Sequence, residues 1–260
     1  MDLGSYLDSL AAKGRSHFTS ADAVQALGAS QVAVRAAVRR LAAKGHLASP
    51  IRGFYVVVPP EYRALGCVPA EQFVPQLMAH LGLVHYAGLL TAASRHGAAH
   101  QAPMVFQVVL AENRSEIRCG SVGVAFVARR NVSEIPVVEQ NTLRGVLRIS
   151  SPEATAFDLV GYPDHSGGLS NVATVLSELA EKMSADKLFA EAARSPLPWA
   201  QRLGYLLERV EAHALAAPLA EHVSRHAREY APLRARRPSV GSPREARWRL
   251  LLNDVVEPDQ

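Results

Sequence analysis

Residues 30–58 read SQVAVRAAVRRLAAKGHLASPIRGFYVVV, and this stretch decides the fold of the first part of the chain. Its serine is placed to cap a helix over Gln31–Lys44, which Gly45 ends. Two β-rich runs follow at residues 46–49 and 53–58, with a tight Pro-Ile-Arg-Gly connection between them. The stretch therefore predicts a helix followed directly by a β-hairpin.

The preceding residues predict the remaining elements of a winged helix-turn-helix. Residues 1–14 carry apolar side chains at helical spacing and end in glycine. A short extended segment at 16–18 leads to a second helix, which Thr19 or Ser20 caps and which stops at Gly28. Two helices joined by a short glycine-containing turn form a helix-turn-helix, and the hairpin supplies the wing.

The third helix of this arrangement has two different faces. At roughly 100° per residue, one stripe is apolar and would pack on the other helices. The opposite side mixes arginines with small apolar side chains, which suits a major groove because guanidinium groups reach phosphates and guanine edges. Arg52 lies at the tip of the wing, where a cation can reach the minor groove or a phosphate. The candidate DNA-binding residues are Ser30, Gln31, Val32, Arg35, Ala36, Arg39, Arg40 and Arg52. A solvated basic face, or a winged helix used for protein contacts, is the alternative.

The charge distribution supports a polyanionic partner for this part. Residues 1–65 hold eight Lys or Arg and four Asp or Glu, a net charge of +4, while the other 195 residues hold twenty of each. A basic module on a neutral body is typical of nucleic-acid binding. A second basic stretch over residues 225–249 has eight arginines and two glutamates, and is either an arm or a solvated face.

Composition excludes several classes of protein. Hydrophobic residues make up 48% and charged residues 20%, which is ordinary for a globular chain. No apolar run approaches the roughly 18–20 residues of a membrane helix, and the first residues lack the features of a secretory signal, so we expect a cytoplasmic protein. Cys67 and Cys119 have neither disulfide-scaffold nor zinc-site spacing, so we expect two free thiols.

The rest of the chain predicts an α+β body after a proline- and glycine-containing boundary near residue 66. We therefore expect a winged helix-turn-helix domain over 1–66 and a larger domain over 67–260, with a sheet part at about 67–165 and a helical part at about 169–260. The expected elements of this domain are a helical stretch at 70–97 divided near Gly82, strands at 104–110, 117–119, 122–128 and 146–149, a helix opened by Ser151-Pro152, and further helices to about Arg228.

Residues that could carry chemistry in this body have simpler explanations. His80, His85, His96 and His100 lie near one another in sequence, but no zinc-binding motif surrounds them. Glu153 and Asp158 could form a carboxylate pair, although a helix cap and a buried, hydrogen-bonded aspartate explain them as well. We therefore expect no catalytic residues, no metal and no cofactor.

A series of motifs then follows in order along the chain. The most extensive are YAGLLTAA at 86–93, SPEATAFDL at 151–159, RLGYLLE at 202–208 and RWRLLLN at 247–253, with shorter ones at 39–45, 53–55, 96–97, 101–103 and 105–108. Together they resemble the AbiEi family, the antitoxins of type IV toxin–antitoxin (abortive infection) systems. The resemblance implies a transcriptional autorepressor whose winged helix binds inverted repeats upstream of its own operon. It also implies that the second domain counteracts a nucleotidyltransferase-like toxin without a stable complex.

The resemblance leaves the toxin-counteracting surface and the assembly open. The basic stretch supplies an antitoxin surface of Arg234, Arg236, Arg237, Arg244 and Arg247. No heptad pattern favours a dimer, so we expect a monomer in solution that binds its repeats cooperatively. Two other functions remain: a one-component regulator whose second domain senses a small molecule, and an endonuclease-like enzyme that uses Glu153 or Asp158.

Overall fold

The N-terminal elements follow the winged-helix order. A computed structural model describes residues 2–98 and 103–257 of the chain. The elements are α1 (Leu3–Ala12), β1 (His17–Thr19), α2 (Ser20–Leu27), α3 (Gln31–Ala43), β2 (Leu47–Ile51) and β3 (Phe54–Val57). The three strands form an antiparallel sheet in the order β1-β3-β2. The predicted elements of this part are confirmed.

Local sequence signals explain where these helices begin. Thr19 and Asp22 form a reciprocal capping box at the start of α2, and the side chain of Ser30 accepts the backbone N–H of Ala33 at the start of α3. Gly28 ends α2 in the left-handed conformation, as the sequence predicts. The three helices and the small sheet share an apolar core of Leu3, Tyr6, Leu10, Phe18, Ala23, Val34, Val38 and Leu47.

A second sheet of six strands follows. Its elements, with the short helices among them, are α4 (Val74–Leu81), β4 (His85–Ala87), α5 (Leu89–Arg95), β5 (Val105–Leu110), β6 (Ile117–Cys119), β7 (Val122–Ala128), β8 (Val137–Thr142) and β9 (Gly145–Ser150). The strand order is β6-β7-β5-β4-β9-β8. β5 and β7 are parallel, β6 is antiparallel to β7, and β4 is parallel to β9. The four predicted strands at β5, β6, β7 and β9 are confirmed.

The prediction of continuous helix on either side of Gly82 is wrong in one place. His85–Ala87 is the buried strand β4, and α5 begins only at Leu89. The apolar run in this region fits a buried strand as well as a helix, and only its pairing with β9 distinguishes the two. β8 is a further strand that was not predicted, because its apolar and polar residues do not alternate in the regular way that identifies a strand.

The helical part begins at the predicted cap. Ser151 caps α6 (Pro152–Gly161), with proline at its first position. The remaining elements are α7 (Gly168–Leu179), α8 (Ala185–Ala192), α9 (Leu197–Arg209), α10 (His213–His226) and a small sheet of β10 (Ala231–Pro232), β11 (Arg244–Glu245) and β12 (Leu250–Leu251). This sheet was not predicted. The chain is α+β, as expected from its sequence.

The described residues divide into two compact units. The first comprises 2–86, 104–133 and 139–148, and the second comprises 87–98, 103, 134–138 and 149–257. Within the first unit, Phe54 and Val56 of the hairpin share one apolar core with Val68, Leu77 and Val108. The boundary near residue 66 therefore stays a prediction, and the packing of the first unit continues across it.

Two further observations bear on the composition arguments. Cys67 and Cys119 are free and buried, and they contact each other within the first unit. Their mutual hydrogen bond and burial raise the pKa of the Cys67 thiol far above its ordinary value, which keeps this thiol unreactive. Among the helices of the described ranges, none is both long and apolar enough to span a bilayer.

Candidate nucleic-acid interface

Helix α3 presents the face that the sequence predicts. Val34 and Val38 are buried on one side, with 2% and 6% of their surface exposed. On the other side Val32 is 75% exposed, and Arg35 and Arg39 are exposed with it. The small side chain of Ala36 is exposed between them. An exposed valine among arginines suits contact with a thymine methyl group.

The first turn of α3 is ordered by its own side chains. The hydroxyl of Ser30 accepts the N–H of Ala33 at 3.3 Å, which satisfies one of the free N–H groups of the helix start. Gln31 accepts a hydrogen bond of 3.4 Å from the guanidinium of Arg35, one turn later. Ser30 and Gln31 thus lie where predicted, at an exposed helix N-terminus that favours an anion.

The arginines of this region lack acidic partners. Within residues 2–98 and 103–257, neither Arg39, Arg40 nor Arg52 forms an ion pair, whereas Arg15 on the preceding loop lies 3.6 Å from Asp22. Because their charge is not neutralised internally, these guanidinium groups are available for phosphate oxygens.

The wing is short and firmly attached. Arg52 and Gly53 form the turn between β2 and β3, and Gly53 adopts a φ of +87°, which favours glycine. The N–H of Ser20 donates to the carbonyl oxygen of Gly53 at 2.9 Å, and the hydroxyls of Ser20 and Tyr55 lie 3.3 Å apart. The backbone that carries the exposed Arg52 is therefore fixed to the start of α2.

Arg40 lies at the margin of the predicted face. It lines a groove of about 410 Å³ between the first and third helices, together with Lys44 and apolar residues such as Leu3 and Leu41. From this position Arg40 adds positive charge beside the face.

The predicted antitoxin surface contains arginines that are already paired. Arg234 is only 17% exposed at its side chain, forms an ion pair with Asp164 and lies 3.7 Å from Asp254. Arg237 binds the same Asp254 at 2.6 Å. Arg236 is exposed and, among the described residues, forms no ion pair.

The two remaining arginines of that surface contact Glu208 of α9 and Tyr230, the residue before β10. The Nε of Arg247 lies 3.0 Å from a carboxylate oxygen of Glu208, and the other oxygen of Glu208 accepts the indole N–H of Trp248 at 2.7 Å. Arg244 lies over the ring of Tyr230, 5.2 Å from its centroid. These contacts stabilise the C-terminal segment of the fold. The toxin-counteracting role of the five arginines stays a prediction.

The histidines and carboxylates of the second domain have structural partners. His96 lies 2.8 Å from the carbonyl oxygen of Ser150, and His100 lies outside the described residues. Burial lowers the pKa of His85, the nearby Arg148 lowers it further, and its backbone contact opposes both effects. Among the described residues no group of three or more potential ligands is arranged to hold a metal ion.

The carboxylate of Glu153 accepts two hydrogen bonds from different segments of the chain. One carboxylate oxygen accepts the hydroxyl of Ser151 at 3.0 Å, and the other accepts the backbone N–H of Ser184 at 3.0 Å, just before α8. Glu153 thus joins the start of α6 to the residue before α8. Asp158 is fully buried on α6.

The C-terminal part of this architecture matches a known family. Residues 86–209 match the AbiEi antitoxin C-terminal domain. The matched segment runs from β4 to the end of α9. Three of the motifs noted in the sequence, at 86–93, 151–159 and 202–208, lie inside the matched segment, whereas RWRLLLN at 247–253 lies beyond it.

A solved structure shares the fold of this chain. The crystal structure of RV2827C protein from Mycobacterium tuberculosis is similar over 95% of this chain and 89% of its own, with a TM-score of 0.66 and 18% sequence identity. No curated protein sequence shows a significant match. The AbiEi family suggests a non-enzymatic regulator that acts against a toxin.

Sequence patterns did not single out Arg202 and Trp199 as site residues, although both line a cavity in the folded chain. Both lie on α9. Arg202 is 5% exposed and stands between the buried Gln201 and Leu203. The sequence signal for Arg202 was a charged residue within a mostly apolar stretch of helix, because charged side chains are rarely fully buried unless they are paired.

Proposed function

We propose that this protein is a DNA-binding autorepressor of its own operon and that its second unit counteracts a nucleotidyltransferase-like toxin. The observation that carries the DNA-binding part is the exposed face of α3 on a winged-helix scaffold, whose arginines have no acidic partners among residues 2–98 and 103–257. The family match to residues 86–209 supports the antitoxin part.

In this proposal α3 enters the major groove of an operator half-site. Arg35 and Arg39 contact phosphates or guanine edges, Val32 and Ala36 meet thymine methyl groups, and Arg52 reaches the neighbouring backbone or minor groove. The ordered turn at Gly53 reduces the entropy lost when Arg52 binds. Two monomers on an inverted repeat then cover the promoter and repress transcription.

Replacement of two groove arginines tests the DNA-binding part. The double variant Arg35→Ala/Arg39→Ala should bind the DNA upstream of its own gene about tenfold to a hundredfold more weakly. The slope of log affinity against log salt should fall by about 2 if both residues neutralise phosphates. Fluorescence anisotropy with a labelled operator, between about 50 and about 200 mM salt and against scrambled DNA, measures both quantities.

The control removes the same charge elsewhere. Arg225→Ala/Arg228→Ala changes two exposed arginines of the second unit and should leave operator affinity nearly unchanged. In cells that make the toxin, the α3 variant should lose repression and still rescue growth. Equal affinity of the α3 variant and the wild type for the operator would contradict the assignment of this face.

A further inference from the structure

The second unit contains a cavity of about 370 Å³ whose lining is basic and aromatic. It lies among the end of α6, the first turns of α9 and the segment after β10. We call it the arginine pocket and define it by Tyr162, His165, Trp199, Arg202, Arg234 and Arg236. A cavity of this size is at the lower end of the range of small-molecule sites.

Arg202 is the buried charge of the arginine pocket. Only 5% of the residue is exposed, and burial alone accounts for the lowering of its pKa. Its Nε donates to the carbonyl oxygen of Pro232 at 3.2 Å, and within the described residues no carboxylate pairs with it. A guanidinium has five N–H donors and stays protonated in proteins, so a buried one without a counter-ion calls for an anionic ligand.

The surrounding residues add to this positive charge. Three arginines and one aspartate line the arginine pocket, and Asp164 is already engaged by Arg234. Arg236 is exposed and unpaired among the described residues, so it is available to a ligand. Trp199 lies in the first turn of α9, where the helix N-terminus contributes a partial positive charge.

One wall of the arginine pocket is aromatic. The rings of Trp199 and Tyr162 pack edge to face, with centroids 5.2 Å apart. Gly161 leaves room for the indole, because a Cβ there would lie 2.4 Å from Trp199 Cζ2. A planar, apolar surface beside guanidinium groups suits a ligand that joins an aromatic base to a phosphate.

We propose that the arginine pocket binds a nucleoside monophosphate, with the phosphate on Arg202 and Arg236 and the base against Trp199. This proposal does not depend on DNA binding. Every lining residue belongs to the second unit, whereas the α3 face belongs to the first. A bound nucleotide would make the second unit a sensor of a phosphorylated metabolite in addition to its antitoxin role.

Tryptophan fluorescence of the full chain can test the proposal. The chain has two tryptophans, of which Trp199 lines the arginine pocket and Trp248 is fully buried outside its lining. AMP should change the emission in a saturable manner below about 1 mM and bind more tightly than inorganic phosphate or adenosine alone. The variant Trp199→Phe should lose this signal, which would assign it to the arginine pocket.

Two arginine variants identify the anion site. Arg236→Ala removes an exposed, unpaired side chain and should weaken AMP binding about tenfold or more with the thermal unfolding midpoint unchanged. Arg202→Gln should weaken it further. Arg228→Ala, which removes an exposed charge outside the lining, is the matched control.

Three results would overturn the proposal. The first is no saturable binding of AMP by the wild type up to about 1 mM. The second is equal AMP affinity of Arg236→Ala and Arg228→Ala. The third is equal affinity of the wild type for AMP and inorganic phosphate, because the base would then contribute nothing.

Discussion

Gly204 lies in the middle of α9, and the ring of Trp248 occupies the space where a side chain would project. A Cβ on Gly204 would lie 1.9 Å from Cζ3 and 2.2 Å from Cη2 of that ring. Glu208 holds the indole N–H at 2.7 Å, so the ring cannot easily move away. A single missing side chain therefore decides how closely the C-terminal segment approaches α9.

The substitution Gly204→Ala should consequently destabilise the protein. In an open helix the same change usually stabilises by roughly 0.5–1 kcal/mol, but the overpacking here should reverse the sign and lower the free energy of unfolding by about 1–3 kcal/mol or more. Urea denaturation followed by circular dichroism measures the difference.

Gly4→Ala in α1 provides the comparison. A Cβ there would meet only Oδ1 of Asp2, at 3.3 Å, and this oxygen, which accepts the N–H of Ser5, needs to shift by only a few tenths of an ångström. If Gly204→Ala were as stable as Gly4→Ala, the close packing of Trp248 on α9 would be refuted.

At the scale of elements, the C-terminal strands depend on a helix that is distant in sequence. The amide of Gln201 on α9 donates to the carbonyl oxygens of Trp248 and Arg249, at 3.0 and 2.9 Å. Gln201 is 2% exposed, so these hydrogen bonds are shielded from water. The small sheet of β10, β11 and β12 is held to α9 through them.

Gln201→Met should therefore loosen the C-terminal strands while α9 remains folded. The loss leaves the carbonyl oxygen of Trp248 without the Gln201 donor, a penalty of about 1–3 kcal/mol for a buried group, whereas the carbonyl oxygen of Arg249 keeps the N–H of Ala231. Limited proteolysis with trypsin should show faster cleavage after Arg247 and Arg249 than in the wild type. Gln25→Met, at an exposed position of α2, should leave the cleavage rate unchanged.

At the scale of the whole molecule, the wing of the first unit is packed on both sides. Its inner residues contribute to the helical core, while Phe54 and Val56 belong to the core that includes Val68 and Leu77. The N–H of Ser121 also donates to the carbonyl oxygen of Leu65 at 2.8 Å. The winged helix thus shares its apolar surface with the strands that follow in the first unit.

A fragment of residues 1–66 should for this reason be much less stable than the full chain. It would keep the helical core but expose Ala48, Phe54, Val56 and Val58, which are all at least nine-tenths buried. We expect binding of the dye ANS and a broad thermal transition, because a domain of this size buries little surface. A cooperative transition at the midpoint of the full chain would instead identify 1–66 as an independent domain.

Elements with local signals could be predicted from the amino-acid sequence. The caps at Thr19, Ser30 and Ser151 and the glycine stop at Gly28 lie within a few residues of the backbone groups they satisfy. The spacing of Val34 and Val38 likewise fixed which face of α3 is buried. The winged-helix order followed from these signals together.

Features that depend on partners distant in sequence became visible in the folded chain. The strand β4 exists because it pairs with β9, more than fifty residues later. Arg234 and Arg247 are bound by acids 70 and 39 residues earlier in the chain, so a basic stretch in the sequence became a set of internal ion pairs. The arginine pocket joins three separate segments. Strand pairing, ion pairs and cavities are properties of residues brought together by folding, and sequence spacing alone does not encode which residues meet.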